Sequence, residues 1–388
     1  MRGLLIATYV ANLFLSFHYF IPAYVNSTYL SLYVGERAVG FFYALAAALT
    51  LFLFLRSGSL LSRYGNTAVF LSYAVLDALA VFALAFSADK AIVLFGFLAH
   101  QALAPLILFS LDLYLEKATV SERTTGTIRG TYLTIANTTL ILAPLLAAFL
   151  IEAYSERMVY GAALLFIFPV IALALTAFRG FNDPPYAAID LGEAFRRVCR
   201  SPSLRAVYVV NFLLQFFYAW MVVYAPLLLR ELGLSWSEIG LIFSIMLIPF
   251  LLFELPVGRL ADTRINERRI ILAGLFLLGA FTLLFGLSAG YSFVWFASIL
   301  FMTRVGASFV EAASESYFFK QVDGGSASLV ALFRGTRAVS YIIGPLAGAA
   351  ALSFIPLQGL FVVLGGLMLL GILSARALCP EALGGKCD

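Results

Sequence analysis

Arg304, Ser308, Glu311 and Glu315 stand at i, i+4, i+7 and i+11 within a long, otherwise apolar run. On a helix of 3.6 residues per turn they form one stripe. An arginine at membrane depth costs about 3 kcal/mol on insertion scales and survives by facing water or a partner. Here it suits an anion or hydroxyl ligand, with Ser308 beside it, and Glu311 suits a group that exchanges a proton. Arg304 and Glu311 are about 10 Å apart along the axis by helical rise, so separate roles are expected unless long side chains or water join them. The alternative is a static Glu–Arg network holding this helix to the next. That next helix carries Arg334 and Arg337 at i and i+3, which could draw in an anion or neutralise Glu254, Glu311 and Glu315.

Other polar groups fall on other apolar runs. Asn12, Ser16 and Tyr19 share one face near the N-terminus, and Asn211, Gln215 and Tyr218 repeat that face 199 positions later. Gln101 and Asn137 add amides, and Trp220 an indole. Together with Arg304 and Ser308 these form polar faces that at membrane depth turn to a neighbouring helix or a water-filled cavity. Asp77 is a lone acid in a third run, expected either as a hydroxyl-bonded structural group or as a second proton carrier. His18 lies about 120° off the Asn12 face and reads as packing. His100, just before Gln101, borders the expected cavity, with a proton relay as its lesser reading.

These side chains need long apolar helices to hold them. With 62% hydrophobic residues and a mean hydropathy of +0.98 over 388 residues, the chain has too little polar surface to coat a soluble globule. The runs are of helix-spanning length and lack the alternation of a membrane barrel. Twelve spans are expected, at 3–25, 38–56, 67–87, 91–115, 127–152, 159–178, 204–229, 237–257, 270–288, 291–318, 327–352 and 356–376. The fold class is therefore all-α and integral to the membrane: a six-helix bundle over 1–178, a linker over 179–203 with a short surface helix near Leu191–Cys199, and a second bundle over 204–388.

Lys and Arg concentrate on one side. Only Arg37, Lys90, Arg157 and Arg230 fall on the other, which places both termini in the cytosol. The net charge of +4 thus reports topology, and no nucleic-acid partner is implied. Cys199, Cys379 and Cys387 lack metal-ligand spacing and read as reduced thiols. Nucleotide, nucleophile-elbow and metal motifs are missing, so no enzyme activity, catalytic residue, metal or cofactor is expected.

The densest charge lies in GRLADTRINERR, Gly258 to Arg269, expected to be an aqueous loop between two spans. A weaker copy, GSLLSRYGN from Gly58 to Asn66, stands 200 positions earlier. Asp112-Leu113-Tyr114 and Glu315-Ser316-Tyr317 repeat at an offset of 203, and Ala143-Pro144-Leu145 answers Gly344-Pro345-Leu346. Two halves duplicated in parallel explain these matches.

The stretch also resembles the signature loop of the major facilitator superfamily of secondary transporters, which runs roughly G-x-L-A-D-[RK]-x-G-[RK]-[RK]. Gly258, Leu260, Ala261 and Asp262 match it and Arg268-Arg269 supply the basic pair, while Thr263 departs and Arg264 takes the first basic role. The first copy keeps Gly58, Leu60, Arg63 and Gly65 but has Ser62 for the aspartate. The resemblance implies cytosolic gate pairs, Arg63 with Asp112 and Arg264 with Glu315, with Arg334 and Arg337 nearby. It also implies twelve helices whose first, fourth, seventh and tenth members line a central cavity, which makes Asn12, Ser16, Tyr19, Gln101, Asn211, Gln215, Tyr218, Arg304 and Ser308, with Asn137 on the fifth, the expected substrate-cavity residues.

The implied function is alternating-access transport of a small solute, proton-coupled through Glu311 or Asp77, by a monomer in the plasma (in bacteria, inner) membrane. The partners are a small-molecule substrate, a proton and the lipid bilayer. The alternatives are an exchanger of organic or phosphorylated anions using Arg304, Arg334 and Arg337, or a non-transporting sensor or receptor on the same scaffold.

Overall fold

The computed structural model describes residues 2–118, 122–183, 191–263, 266–288, 292–322 and 327–378. Those residues form fourteen α-helices: α1 Arg2–Ala23, α2 Asn26–Val34, α3 Glu36–Tyr64, α4 Asn66–Phe86, α5 Lys90–Ala118, α6 Glu122–Ala153, α7 Glu156–Leu175, α8 Leu191–Arg200, α9 Pro202–Glu231, α10 Trp236–Thr263, α11 Glu267–Leu287, α12 Phe293–Gln321, α13 Ala327–Ala351 and α14 Leu357–Ala375. Eleven of them are long and apolar enough to cross a bilayer. The twelfth long helix, α13, carries Arg334 and Arg337 and runs for 25 residues. The all-α, twelve-span architecture expected from the apolar runs is thus observed, with α2 and the linker helix α8 as short additions.

One expectation is corrected. The charged copies after Gly58 and Gly258 are not loops from their first residue, because α3 continues to Tyr64 and α10 to Thr263. A helix of 29 residues is about 44 Å long at 1.5 Å per residue, longer than the roughly 30 Å hydrocarbon layer. Its end stands in water as helix, so charge in the sequence marks the membrane boundary and not the helix boundary. The chain turns instead at Gly65, whose φ of +76 is open to glycine.

Two compact units are formed, residues 1–188 with 235–244, and residues 189–234 with 245–388. In the first, α1 packs against α5, α6 and α7, and α4 against α5 and α7. At the α3–α4 turn, Asp183 Oδ1 accepts from the Asn66 backbone N–H at 2.8 Å, capping α4, and Asn66 Nδ2 donates to the Ser110 carbonyl of α5 at 2.9 Å. Tyr114 stacks on Phe178 at 4.1 Å and donates to Thr67. The start of α10 joins this unit: Glu152 accepts from the Ser237 backbone N–H at 2.7 Å and from its hydroxyl.

In the second unit α9 packs on α13, and α11 on α12 and α14. The α11–α12 approach depends on small residues. A Cβ at Gly306 would lie 2.5 Å from the Leu278 backbone nitrogen and 2.7 Å from the Gly274 carbonyl, so any larger side chain would drive the backbones apart.

The two units repeat one bracket. Tyr9 Oη donates to the Ile128 carbonyl at 3.1 Å and Asn12 Nδ2 to the Tyr132 carbonyl at 2.8 Å, tying α1 to α6. Tyr208 Oη donates to the Leu329 carbonyl at 2.6 Å and Asn211 Nδ2 to the Phe333 carbonyl at 3.1 Å, tying α9 to α13. The duplication read from sequence spacing is therefore also a duplication of contacts.

Candidate functional site

Helix α9 is apolar along its length except for one face, and α12 crosses it with the Arg304 stripe. Arg304 is only 2% exposed. Its guanidinium carbon lies 5.0 Å above the Phe217 ring and 5.6 Å from the Tyr218 ring, so two π-faces stabilise the cation by about 2 kcal/mol or more in a desolvated setting. Its Nε and Nη1 have no hydrogen-bond partner among the described residues. A buried guanidinium with empty donors is costly unless an acceptor arrives.

Tyr218 uses its other end as well. Its hydroxyl donates to Glu311 Oε2 at 2.7 Å, so one phenol takes Arg304 on its ring and Glu311 on its oxygen. Two helical turns on α12 are thereby joined through a residue of α9. Helical rise alone keeps Arg304 and Glu311 about 10 Å apart, and the link has no signal in α12 itself. Phe250 of α10 closes on the Tyr218 ring at 6.1 Å, and Gln215, one turn before Tyr218, is half-buried.

Several expected cavity residues stand elsewhere. Asn12, Ser16 and Asn211 are buried, with Asn12 and Asn211 bonded to backbone carbonyls across helix seams, and Ser16 Oγ bonded to Asn12 Oδ1 at 3.3 Å. Asn211 also donates to Thr336 Oγ1 at 2.7 Å. Ser308 is fully buried and bonded to the Val305 carbonyl of its own helix. Trp220 donates to the Gly344 carbonyl at 2.6 Å, and Tyr224 to that of Pro345 at 2.8 Å. Periodicity identifies the polar face correctly in each case but cannot distinguish a face turned to solute from one turned to a neighbouring helix. Tyr19, Gln101 and Asn137 remain half-buried.

The expected gate pairs are also redrawn. Arg63 and Asp112 are both exposed and, among the described residues, are not paired with each other: Arg63 lies 5.1 Å over the ring of Tyr64, and Asp112 is hydrogen-bonded to the Tyr132 side chain. An exposed pair gains at most about 1 kcal/mol, too little to hold two side chains together. Gly58 is exposed within α3. Gly258 and Asp262 are helical residues of α10, their side chains and all of Arg264 lying outside the described residues. Glu315, Arg334 and Arg337 are exposed, Arg337 standing 5.7 Å over Tyr341. Lys320 Nζ pairs with Glu267 Oε1 at 2.5 Å, between α12 and α11. Glu267 follows Asn266, whose side chain caps α11 by accepting from the Arg268 N–H at 2.9 Å.

Asp77 is not an isolated acid, and His18 is not packing. Both carboxylate oxygens of Asp77 face histidines, His18 Nε2 at 2.8 Å and His100 Nδ1 at 2.8 Å, all three fully buried. The angle that removed His18 from the Asn12 face is what turns it toward α4 and α7.

Comparison with known proteins agrees with this architecture. Residues 207–382 match the family model of the Major Facilitator Superfamily. Among solved structures, an auto-inhibited POT family peptide transporter superposes with a TM-score of 0.78 at 11% identity, covering 97% of this chain and 96% of that one. A POT family transporter in complex with 5-aminolevulinic acid gives 0.75 at 13% identity, covering 98% and 97%. No curated protein matches the chain. The long apolar helices make the chain a multi-pass membrane protein; its fold along nearly the whole length is that of these transporters, and its second half is similar in sequence to the major facilitator superfamily.

Proposed function

We propose that the protein is a secondary transporter that moves a small solute bearing an anionic group across the membrane and couples that movement to protons. Arg304 binds the anionic group, Glu311 carries the proton, and Tyr218 communicates between them. The observation that carries this reading is the position of Tyr218, against the Arg304 cation and bonded to the Glu311 carboxylate. An anion arriving at the empty donors of Arg304 competes with the ring contacts and so alters the setting of the Tyr218 hydroxyl. Proton occupancy of Glu311 acts on the same phenol from the other side. This is a coupling free energy between two ligands, reciprocal by linkage.

Gln215, Tyr19, Gln101 and Asn137 are the remaining cavity candidates in this reading, in a monomer of the plasma membrane with both termini cytosolic. The two structural neighbours, one titled a peptide transporter and one holding 5-aminolevulinic acid, favour carboxylate-bearing solutes as first probes.

The test is a thermal-shift screen of the purified protein against dipeptides, 5-aminolevulinic acid, sugars and lipophilic cations at two pH values, followed by uptake of the strongest stabiliser into proteoliposomes. Uptake driven by an imposed pH gradient and abolished in Glu311→Gln supports the proposal. Gradient-independent exchange of anions, lost in Arg304→Met but intact in Glu311→Gln, would replace it with an anion exchanger.

A further inference from the structure

The His18–Asp77–His100 cluster joins three helices, α1, α4 and α5, and reaches a fourth through His18 Nδ1, which lies 2.8 Å from the Ala163 carbonyl of α7. The two imidazoles meet edge to face at 5.3 Å. All three side chains are at 0% exposure. A carbonyl only accepts, so His18 Nδ1 carries a hydrogen. One proton then lies between His18 Nε2 and Asp77 Oδ2. On the nitrogen it makes an imidazolium–carboxylate pair, on the oxygen a neutral imidazole and a carboxylic acid, and the total charge is the same. His100 Nδ1 donates to Asp77 Oδ1 in both cases, which leaves His100 Nε2 as a bare lone pair. That atom is buried with no partner among the described residues.

The cluster as seen is therefore electrically neutral, as a fully desolvated group must be to avoid a penalty of several kcal/mol. It also holds one vacant basic nitrogen. Among the described residues the charged groups acting on Asp77 are the two histidines. The other acids and bases on α1, α3, α5 and α7 stand toward the helix ends: Arg2 on α1, Glu36, Arg37, Arg56 and Arg63 on α3, Lys90, Asp112, Glu116 and Lys117 on α5, and Glu156 and Arg157 on α7. Phenols stand further in: Tyr73 on α4, Tyr43 on α3, which meets Phe97 of α5 at 5.1 Å, and Tyr160 on α7, bonded to Asn26. Phenols do not titrate between about pH 5 and 8, whereas imidazole does.

We propose that His18, Asp77 and His100 form a second proton-binding site, confined to the first unit and separate from Glu311, with His100 Nε2 as the atom that accepts the proton. Taking up that proton turns an unpartnered acceptor into an unpartnered donor and leaves the cluster with a net positive charge. Both changes are unfavourable in the packing seen here. Protonation is thus coupled to a rearrangement in which α5 moves enough for water or an acceptor to reach His100. The structure holds the deprotonated member of that pair. Asp77 keeps the two imidazoles oriented and balances their charge, acting as a positioning residue.

His18 and His100 are the only two histidines in the chain, so the site can be read directly. The protein is labelled with nitrogen-15 histidine, reconstituted in lipid, and its imidazole nitrogen resonances are followed between about pH 5 and 8. The expected result is an unprotonated nitrogen signal from His100 Nε2 at the alkaline end that disappears on acidification, is absent in His100→Asn and persists in Glu311→Gln. His100→Asn retains a donor for Asp77 and so serves as the folded control. Resonances unchanged across that range would overturn the proposal and leave the cluster as a static clamp. A change produced by zinc at constant pH, with no change on acidification, would also overturn it in favour of a metal site. Neither outcome depends on transport, so failure here leaves the Glu311 reading intact, and loss of that reading leaves this one standing.

Discussion

Tyr218 stands against the Arg304 guanidinium at 5.6 Å from its ring centroid, while its hydroxyl donates to a carboxylate seven residues further along the same neighbouring helix. Removing only the hydroxyl separates its two functions. In Tyr218→Phe the ring contact persists and the hydrogen bond to Glu311, worth about 1.5–3 kcal/mol for a charged acceptor, is lost. Uptake falls roughly tenfold or more and its pH profile moves, while the concentration of solute giving half-maximal thermal stabilisation changes little. An unchanged pH profile would show that the bond has no part in coupling.

Arg304→Met keeps volume and removes the charge. Because two of the guanidinium nitrogens have no partner, apolar replacement leaves the resting fold as stable or more stable, in line with other buried charges exchanged for hydrocarbon. Stabilisation by carboxylate-bearing ligands disappears. A variant that melts several degrees lower in detergent and still responds to carboxylates would show Arg304 to be structural.

Asn12→Leu and Asn211→Leu test the repeated bracket. Each removes the side-chain donor that a backbone carbonyl of the facing helix holds in addition to its intrahelical one, costing about 1 kcal/mol. Both variants should lose thermal stability by similar amounts with solute affinity unchanged. A selective loss of affinity would return these asparagines to the cavity.

Gly306→Val addresses the α11–α12 seam, where even a methyl group meets backbone at 2.5 Å. Overpacking of this kind costs about 1–3 kcal/mol or more. The expectation is poor yield and early melting, whereas Gly335→Ala on α13, where a Cβ meets nothing within 4 Å, should behave as wild type.

The fold was legible because bilayer thickness converts composition into helix count, and because duplication leaves offsets such as 199 between Asn12 and Asn211. Arg304 and Glu311 were legible for a related reason: ionised groups are rare at that depth and stand out without any partner being known. Partners were less so. That Tyr218 touches both, that His18 and His100 flank Asp77, and that Glu267 rather than Glu315 takes a lysine are facts of helix rotation and neighbour choice, which a 3.6-residue period does not encode. Arg63 and Asp112 stand apart because an exposed ion pair has little to gain from meeting and Asp112 is hydrogen-bonded to Tyr132 instead.

Asp183 belongs by sequence to the connector between the halves, yet it completes the first turn of α4 by accepting from the Asn66 N–H, beside Gly65, where a Cβ would stand 2.7 Å from its carboxylate. The first half therefore owns its last structural residue. When the gene is cut into two co-expressed fragments, a break after residue 183 should yield a membrane-integrated N-terminal fragment that survives protease, and a break a few residues earlier should expose the α3–α4 turn to degradation.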